Sequence, residues 1–406
     1  MAGALGLHVI TTQLPVAFIS ATKQTFRRAS VIRCAANTPN KRYTIAVLPG
    51  DGVGKEVVPV AVDALRLAGS LEGLDLRFEE LLIGGVALEL VGVPLPEETL
   101  RKAKQSDAVL LGAVGWHVLI IVDLYLTDAS LFITVGNLIF FELWDVSQLV
   151  DSTYLRKDTA EGVDIMIIRE LTGGIYNAHP RGFTTNEQGD EVGFCTESYS
   201  ASEVDHIARV AFDIAKQRRS KLCSVDKATI LEGSMLWRKR VTAMALEYPE
   251  VEVSHLLIDT AAMDLVRYPR QFDTILTGVM FGDILSDLAA MIPGSVGLLP
   301  SAALADRLQE PGIFEPVHGS APKHYGKDTV NPLAALLSAA MLFRYGLKEE
   351  NAAQRIEKAV SDVLDRGFRT RDIHTPGTTL VGCKRMGEEI LRSLDARVSV
   401  SNGSLV

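Results

Sequence analysis

Asp283 and Asp287 stand four residues apart in the stretch FGDILSD, Phe281 to Asp287. On a helix that spacing brings both carboxylates onto one face, about one turn apart. Two carboxylates so placed repel each other unless a cation lies between them. Carboxylate oxygens suit a hard divalent ion such as Mg²⁺ or Mn²⁺. A solvated acidic helix face is the plain alternative for such a pair, and the surroundings weigh against it. The preceding TILTGVM is apolar and β-like, and a glycine comes just before Asp283, so the acids fall at a strand-to-helix junction. Ligand sites in α/β proteins gather at such junctions. A third acid, Asp259, follows another apolar run, VSHLLID, and would complete a set of oxygen donors.

The rest of the chain has the elements to hold such a site. Its 406 residues are enough for two domains and a large core. The balance of 47% apolar and 22% charged residues is that of a soluble globular enzyme. A net charge of −9 argues against a nucleic-acid binder. Cys34, Cys195, Cys223 and Cys383 show no CxxC or metal-type spacing, which points to free thiols in a reduced compartment. From Lys41 the order is a buried strand (RYTIAVLPG), a Gly-rich turn (GDGVGKE, 50–56) and a helix (VVPVAVDALRLAG). The turn is not GxGxxG, so it does not indicate a Rossmann dinucleotide site. RFEELLIGGVAL reads as strand then turn, PLPEETLRKAKQ as a helix with Pro near its start, and SDAVLLGAVG as a further buried strand. VDIMIIRELTGGIYN is a buried strand running into a Gly turn, and KLCSVDKATILEGSMLWRKRV a strand ending at Asp226-Lys227 that leads into a helix. Strands alternating with helices predict a mostly parallel sheet.

Two segments differ in composition. Residues 1–40 hold no Asp or Glu, but carry Lys23, Arg27, Arg28 and Arg33 among many Ser, Thr and Ala. That is the composition of an organelle transit peptide, with VIRCAA (31–36) similar to a chloroplast-type processing site; a disordered tail is the alternative. The second segment is 116–150, inside a stretch with no Lys or Arg between Lys104 and Arg156. It is apolar and β-branched. Asp123, Asp128, Asn137, Glu142 and Asp145 interrupt it too often for a membrane span, so no membrane association is expected.

RELTGGIY (169–176), SVDKA, the Asp of HLLIDTAAMDLV, FGDILSD with GSVGLLPSA behind it, and EPVHGSAP (315–322) occur in this order. By these motifs the chain resembles the β-decarboxylating dehydrogenases, the isocitrate/isopropylmalate dehydrogenase family. RELTGGIY points to the isopropylmalate branch, and 41–115 is similar to a plant plastid form. The opening GDGVGKE and the closing FRTRDIHTPGTTLVGC (368–383) fit too, so that the resemblance covers 41–115 and about 146–390.

The resemblance implies a two-domain α/β fold with parallel or mixed sheets and a non-Rossmann cofactor site. One domain would combine 41–135 with 294–406; the other, 136–293, would carry the dimer contact and most catalytic groups. It implies oxidation of a 2-hydroxy acid with NAD followed by loss of the β-carboxylate, the leucine-synthesis reaction on 3-isopropylmalate, in the plastid stroma. It makes Asp259, Asp283 and Asp287 ligands of Mg²⁺ or Mn²⁺, with Asp259 also on the substrate side. Lys227 is then the base for the hydroxyl proton, Tyr176 the acid that protonates C3, and Arg169 the clamp on a substrate carboxylate. Outside this context these three would read as a surface lysine, a half-buried tyrosine and a salt-bridge partner. The cofactor loop runs from Gly319 to Asn331, with His318 before it and Ser320, Ala321, Pro322, Lys323 and Gly326 within it. A homodimer is implied, because the Lys227 and Asp259 equivalents reach the partner's site.

Three departures stand out. Lys323 occupies a position where NAD-dependent members have Asp after GSAP, and a cation suits the 2′-phosphate of NADP better than a free hydroxyl. Val279 stands where the family commonly has Asn, a lost amide that would weaken cofactor or metal-site contacts. Segment 116–150 does not resemble the family and lacks the two further arginines expected there. Two lost charge-assisted contacts, each worth roughly 1.5–3 kcal/mol, would lower affinity or turnover by about two to four orders of magnitude. Two alternatives follow: a catalytically impaired subunit acting in a heterodimer, or a dehydrogenase of a related alkylmalate.

Overall fold

The computed structural model describes residues 41–115, 138–143, 147–171, 173–304 and 311–401. The expected transit peptide (1–40), most of the anomalous segment (116–137 and 144–146) and Thr172 lie outside the described residues.

The strands of the main sheet are β1 (Lys41–Gly50), β2 (Leu74–Glu80), β3 (Ala108–Ala113), β4 (Leu138–Leu143), β5 (Ile165–Glu170), β8 (Lys221–Asp226), β9 (Glu252–Leu257), β10 (Thr274–Thr277), β11 (Pro300–Leu304) and β12 (Gly312–Pro316). A separate antiparallel hairpin is formed by β6 (Arg181–Thr185) and β7 (Glu191–Cys195). The longer helices are α1 (Gly54–Leu71), α2 (Gly84–Val91), α3 (Glu97–Gln105), α4 (Ala201–Gln217), α5 (Glu232–Met244), α6 (Ile258–Arg267), α7 (Val279–Ala290), α8 (Leu333–Met341), α9 (Glu350–Asp365) and α10 (Cys383–Ser401). The helices expected in VVPVAVDALRLAG, in PLPEETLRKAKQ, after SVDKA and at FGDILSD are present as α1, α3, α5 and α7. One expectation fails: in RFEELLIGGVAL the glycines are the first residues of α2 rather than a turn. Among the described residues no helix is long and apolar enough to cross a membrane, and Cys195, Cys223 and Cys383 are free thiols.

The ten-stranded sheet runs β2-β1-β3-β12-β11-β4-β5-β10-β8-β9. β2, β1, β3 and β12 are mutually parallel, as are β5, β10, β8 and β9. β11 is antiparallel to both its neighbours, and β4 to β5, so the sheet is mixed. The second parallel set matters for function. The carboxyl ends of β5, β10, β8 and β9 share one edge of the sheet, where Arg169, the start of α7, Lys227 and Asp259 respectively emerge.

β4 explains part of the anomalous composition. The strand LIFFEL lies in the middle of the sheet, between β11 and β5. Leu138 and Phe140 enter one hydrophobic core, while Ile139, Phe141 and Leu143 enter the other. A strand covered on both faces must be apolar on both, which removes the usual polar alternation. Its one charged residue, Glu142, lies 4.0 Å from the Arg218 guanidinium. Phe140 is 2% exposed and tilted against Tyr345 at 6.2 Å between ring centroids. Phe140→Ala should therefore cost about 3–5 kcal/mol of unfolding free energy. Urea titration checks this, with the midpoint falling and the slope unchanged; a loss under 1 kcal/mol would mean that β4 is not a core strand.

Candidate active site

Two clusters of sequence-predicted residues form in the chain. The first is built on Arg169, at the end of β5 and 7% exposed. Its Nη1 lies 2.7 Å from Asp283 Oδ1, and its Nε donates to the Val279 carbonyl at 2.8 Å. Tyr176, on the short helical turn Gly174–Asn177, donates its hydroxyl to Asp283 Oδ2 at 2.9 Å. The Arg169 guanidinium also stands over the Tyr176 ring at 5.6 Å. Asp283 and Asp287 lie on α7, both exposed, as the four-residue spacing requires. Gly282 belongs to the helix interior; the glycine at the strand-to-helix junction is Gly278.

Partial removal of the carboxyl from water and the neighbouring Asp283 charge push Asp287 above its usual range, against a smaller opposing effect of Arg169. Arg169 and Tyr176 meet Asp283 alone, so the acidic pair is only partly balanced and offers oxygen donors only. It fits a hard divalent cation, whose charge would reverse the shift.

The second cluster is Lys227 with Asp259. Lys227 follows β8 and Asp259 sits in the first turn of α6. Lys227 Nζ lies 2.7 Å from Asp259 Oδ1. The hydrogen bond from Lys227 holds the Asp259 carboxyl below the ordinary carboxylate range. Among the described residues no three acidic, His or Cys side chains converge to hold a metal. Asp259 is thus engaged with Lys227, apart from Asp283 and Asp287, within a single chain.

The loop after β12 borders a third feature, a cavity of about 480 Å³. His318, Ala321 and Asn331 of the predicted cofactor loop line it. Sequence reasoning did not assign Ser295, Val296 and Gly297 beyond α7, or Arg371 and Asp372, which line it too. They fall within GSVGLLPSA and FRTRDIHTPGTTLVGC, motifs to which no role was given, and only folding brings the two beside the loop. Burial holds His318 below the usual imidazole value. Asn331 donates to Asp372 at 3.0 Å and accepts from the Leu333 N–H at the start of α8. Ser320 is buried and donates to the Gly115 carbonyl, while its own carbonyl accepts from Val53 N–H. Gly319, Pro322, Lys323 and Gly326 are exposed, with Gly326 N–H donating to Glu56 Oε1. The Gly-rich turn GDGVGKE therefore docks this loop. Its Asp51 is fully buried and accepts three backbone N–H bonds, from Gly85, Val86 and Gly115.

Position 279 contributes its main chain to the site. Val279 is 1% exposed, its carbonyl accepts from Arg169, and its N–H donates to the Tyr199 hydroxyl at 3.0 Å. The side chain itself is buried, with its Cγ1 beside Gly174.

A sequence model of the isocitrate/isopropylmalate dehydrogenase family matches residues 44–390. The chain is 57% identical over 407 aligned residues to 3-isopropylmalate dehydrogenase 2, chloroplastic, of Arabidopsis thaliana, covering 99% of this chain and 100% of that protein. It is 52% identical to 3-isopropylmalate dehydrogenase of Synechococcus elongatus, over 88% of this chain and 99% of the relative. Among solved structures, isocitrate dehydrogenase from Methylococcus capsulatus superposes with a TM-score of 0.75 at 29% identity, over 87% of this chain and 99% of the other. With its motifs, its mixed sheet and this likeness along nearly its whole length, the chain belongs to the isocitrate/isopropylmalate dehydrogenase family.

Proposed function

We propose that the protein oxidatively decarboxylates 3-isopropylmalate to 4-methyl-2-oxopentanoate and CO₂, in the leucine pathway of the plastid stroma. The observation that carries this reading is the Arg169–Tyr176–Asp283 cluster beside Asp287, where carboxylate-binding, proton-donating and cation-binding groups meet. The names of the relatives and the transit-peptide composition of 1–40 support the pathway and the compartment.

Arg169 pairs with a substrate carboxylate, and its planar fork is suited to that task. Lys227 takes the proton of the C2 hydroxyl. Asp283 and Asp287 would hold a divalent ion, which would supply Lewis acidity, and a bound nicotinamide cofactor would supply the hydride acceptor. The resulting ketone draws the electron pair of the breaking C–CO₂ bond into an enolate. Tyr176 then delivers its proton to C3. Lys227 and Asp259 lie apart from Asp283 in one chain, which supports a homodimer in which each subunit completes the other's site. The proposed domains are 41–135 with 294–406, and 136–293. The ordering of the sheet supports this division, since one half is built from 41–113 and 300–316 and the other from 138–277.

The proposed cofactor site is the cavity behind His318, Ala321 and Asn331. NAD is the cofactor expected of this branch. NADP is the second reading, favoured by Lys323 on the exposed loop and by His324 and Arg371 in the cavity lining.

The first test is turnover of the 41–406 chain on 3-isopropylmalate with Mg²⁺ and each nucleotide; a folded dimer inactive with both would refute the reading. Lys227→Ala should lower kcat about 10²–10⁴-fold with KM little changed. Mixing it with Asp283→Asn subunits should restore activity to about a quarter of the parent, since half the dimers are hybrids with one intact site. No recovery from verified hybrids would refute the shared site. Lys323→Asp should shift the NAD/NADP ratio of kcat/KM toward NAD by about tenfold or more, equivalent to one charge-assisted contact. An unaltered ratio would remove Lys323 from nucleotide choice.

A further inference from the structure

Tyr199 belongs to none of the motifs, yet it stands where three site-bearing segments meet. It precedes Ser200, which caps α4 in a reciprocal capping box with Glu203. Its ring meets Trp237 of α5 edge-on at 5.3 Å between centroids, and α5 is the helix that follows Lys227. Its hydroxyl reaches the start of α7 and the turn that carries Tyr176.

The space around that hydroxyl is made by glycines. A Cβ on Gly174 would fall 2.3 Å from it, and one on Gly278 2.6 Å. Gly174 also has φ +64°, in the left-handed region that favours glycine. The turn is fixed from its other side by Gly174 N–H, which donates to the Ser198 carbonyl, and by Gly173 N–H, which donates to the buried Glu170 carboxylate.

The hydrogen bond itself solves a problem at the helix start. The first N–H groups of a helix have no partner within it. Gly278, at the cap of α7, has no side chain to provide one. The Tyr199 hydroxyl accepts the Val279 N–H instead, at 3.0 Å. The carbonyl of the same residue accepts from Arg169 Nε, and Asp283 follows one turn later. Burial pushes the Tyr199 phenol up, so it stays a neutral hydroxyl throughout the physiological range.

We propose that Tyr199 is a positioning residue for the active site. By holding the Val279 amide it sets where α7 begins, and through Val279 it sets the placement of Arg169 and of the cation-binding pair Asp283 and Asp287. The proposal rests on the functional reading for its catalytic consequence. The contact itself can be measured independently of that reading.

The test is Tyr199→Phe in the full chain, which keeps the ring and its packing and removes only the acceptor. Tyr248→Phe is the matched control, because its hydroxyl donates to Asp213 away from these segments. Three quantities are read: hydrogen exchange in the peptide 278–290, the Mn²⁺ dissociation constant from the paramagnetic resonance of the free ion, and kcat with both KM values. In Tyr199→Phe, exchange at the start of α7 should accelerate about tenfold, the Mn²⁺ dissociation constant should rise about tenfold, and kcat should fall by a similar factor, as for one lost hydrogen bond. The KM for the nucleotide should hold, because its cavity is lined by other segments. Tyr248→Phe should change none of these. Unaltered exchange in a folded variant overturns the proposal. Faster exchange with Mn²⁺ affinity and kcat within twofold of the parent overturns it as well, since the tyrosine would then hold the helix without serving the site. If the parent neither binds Mn²⁺ nor turns over, the functional reading fails and the exchange result alone decides whether Tyr199 places α7.

Discussion

The site depends on one buried cation. Arg169 projects from a strand inside the sheet and is almost wholly removed from water. A guanidinium there is tolerable only if its donors are taken up. Asp283 and the Val279 carbonyl do this, and both belong to the first turns of α7. The pairing that satisfies Arg169 therefore also fixes the helix bearing the two acids. It also accounts for the glycine in FGD. A Cβ on Gly282 would lie 2.6 Å from Arg169 Cγ, so the aliphatic stem can cross the helix only over a residue without a side chain.

The charges around Arg169 are deliberately incomplete. Asp283 is matched by the guanidinium and the Tyr176 hydroxyl, whereas Asp287 beside it has only their more distant field. Lys227 and Asp259 balance each other in the same manner on the neighbouring segments. The two clusters are separate within one chain, as the proposed two-subunit site requires.

The strand-helix alternation was legible in the sequence because each segment carries its own period. The acid pair was legible for the same reason, since i and i+4 on a helix share a face whatever the tertiary context. What was not legible depends on contacts between distant segments. β4 looked anomalous because a strand buried on both faces loses the alternation by which strands are recognised. The glycines at the start of α2 read as a turn because glycine marks both. Arg371 and Asp372 lie some forty residues beyond the loop they adjoin, and no spacing rule connects them. Tyr199 sits between a hairpin and a helix cap, and only the three-dimensional arrangement shows what its hydroxyl holds.

Two of the three departures from the family pattern, at 279 and 323, separate on physical grounds. At position 279 the site uses an N–H and a carbonyl, which every residue but proline supplies, so valine in place of asparagine leaves both hydrogen bonds intact and adds apolar burial. At position 323 the side chain is exposed on the loop of the proposed cofactor site, so there its own charge matters. A substitution that changes only a buried side chain is answered by local packing. One that reverses an exposed charge beside a ligand cavity changes the field the ligand enters, and short-range packing cannot compensate for that. Of the two positions, 323 rather than 279 is therefore the one that bears on the proposed choice of nucleotide.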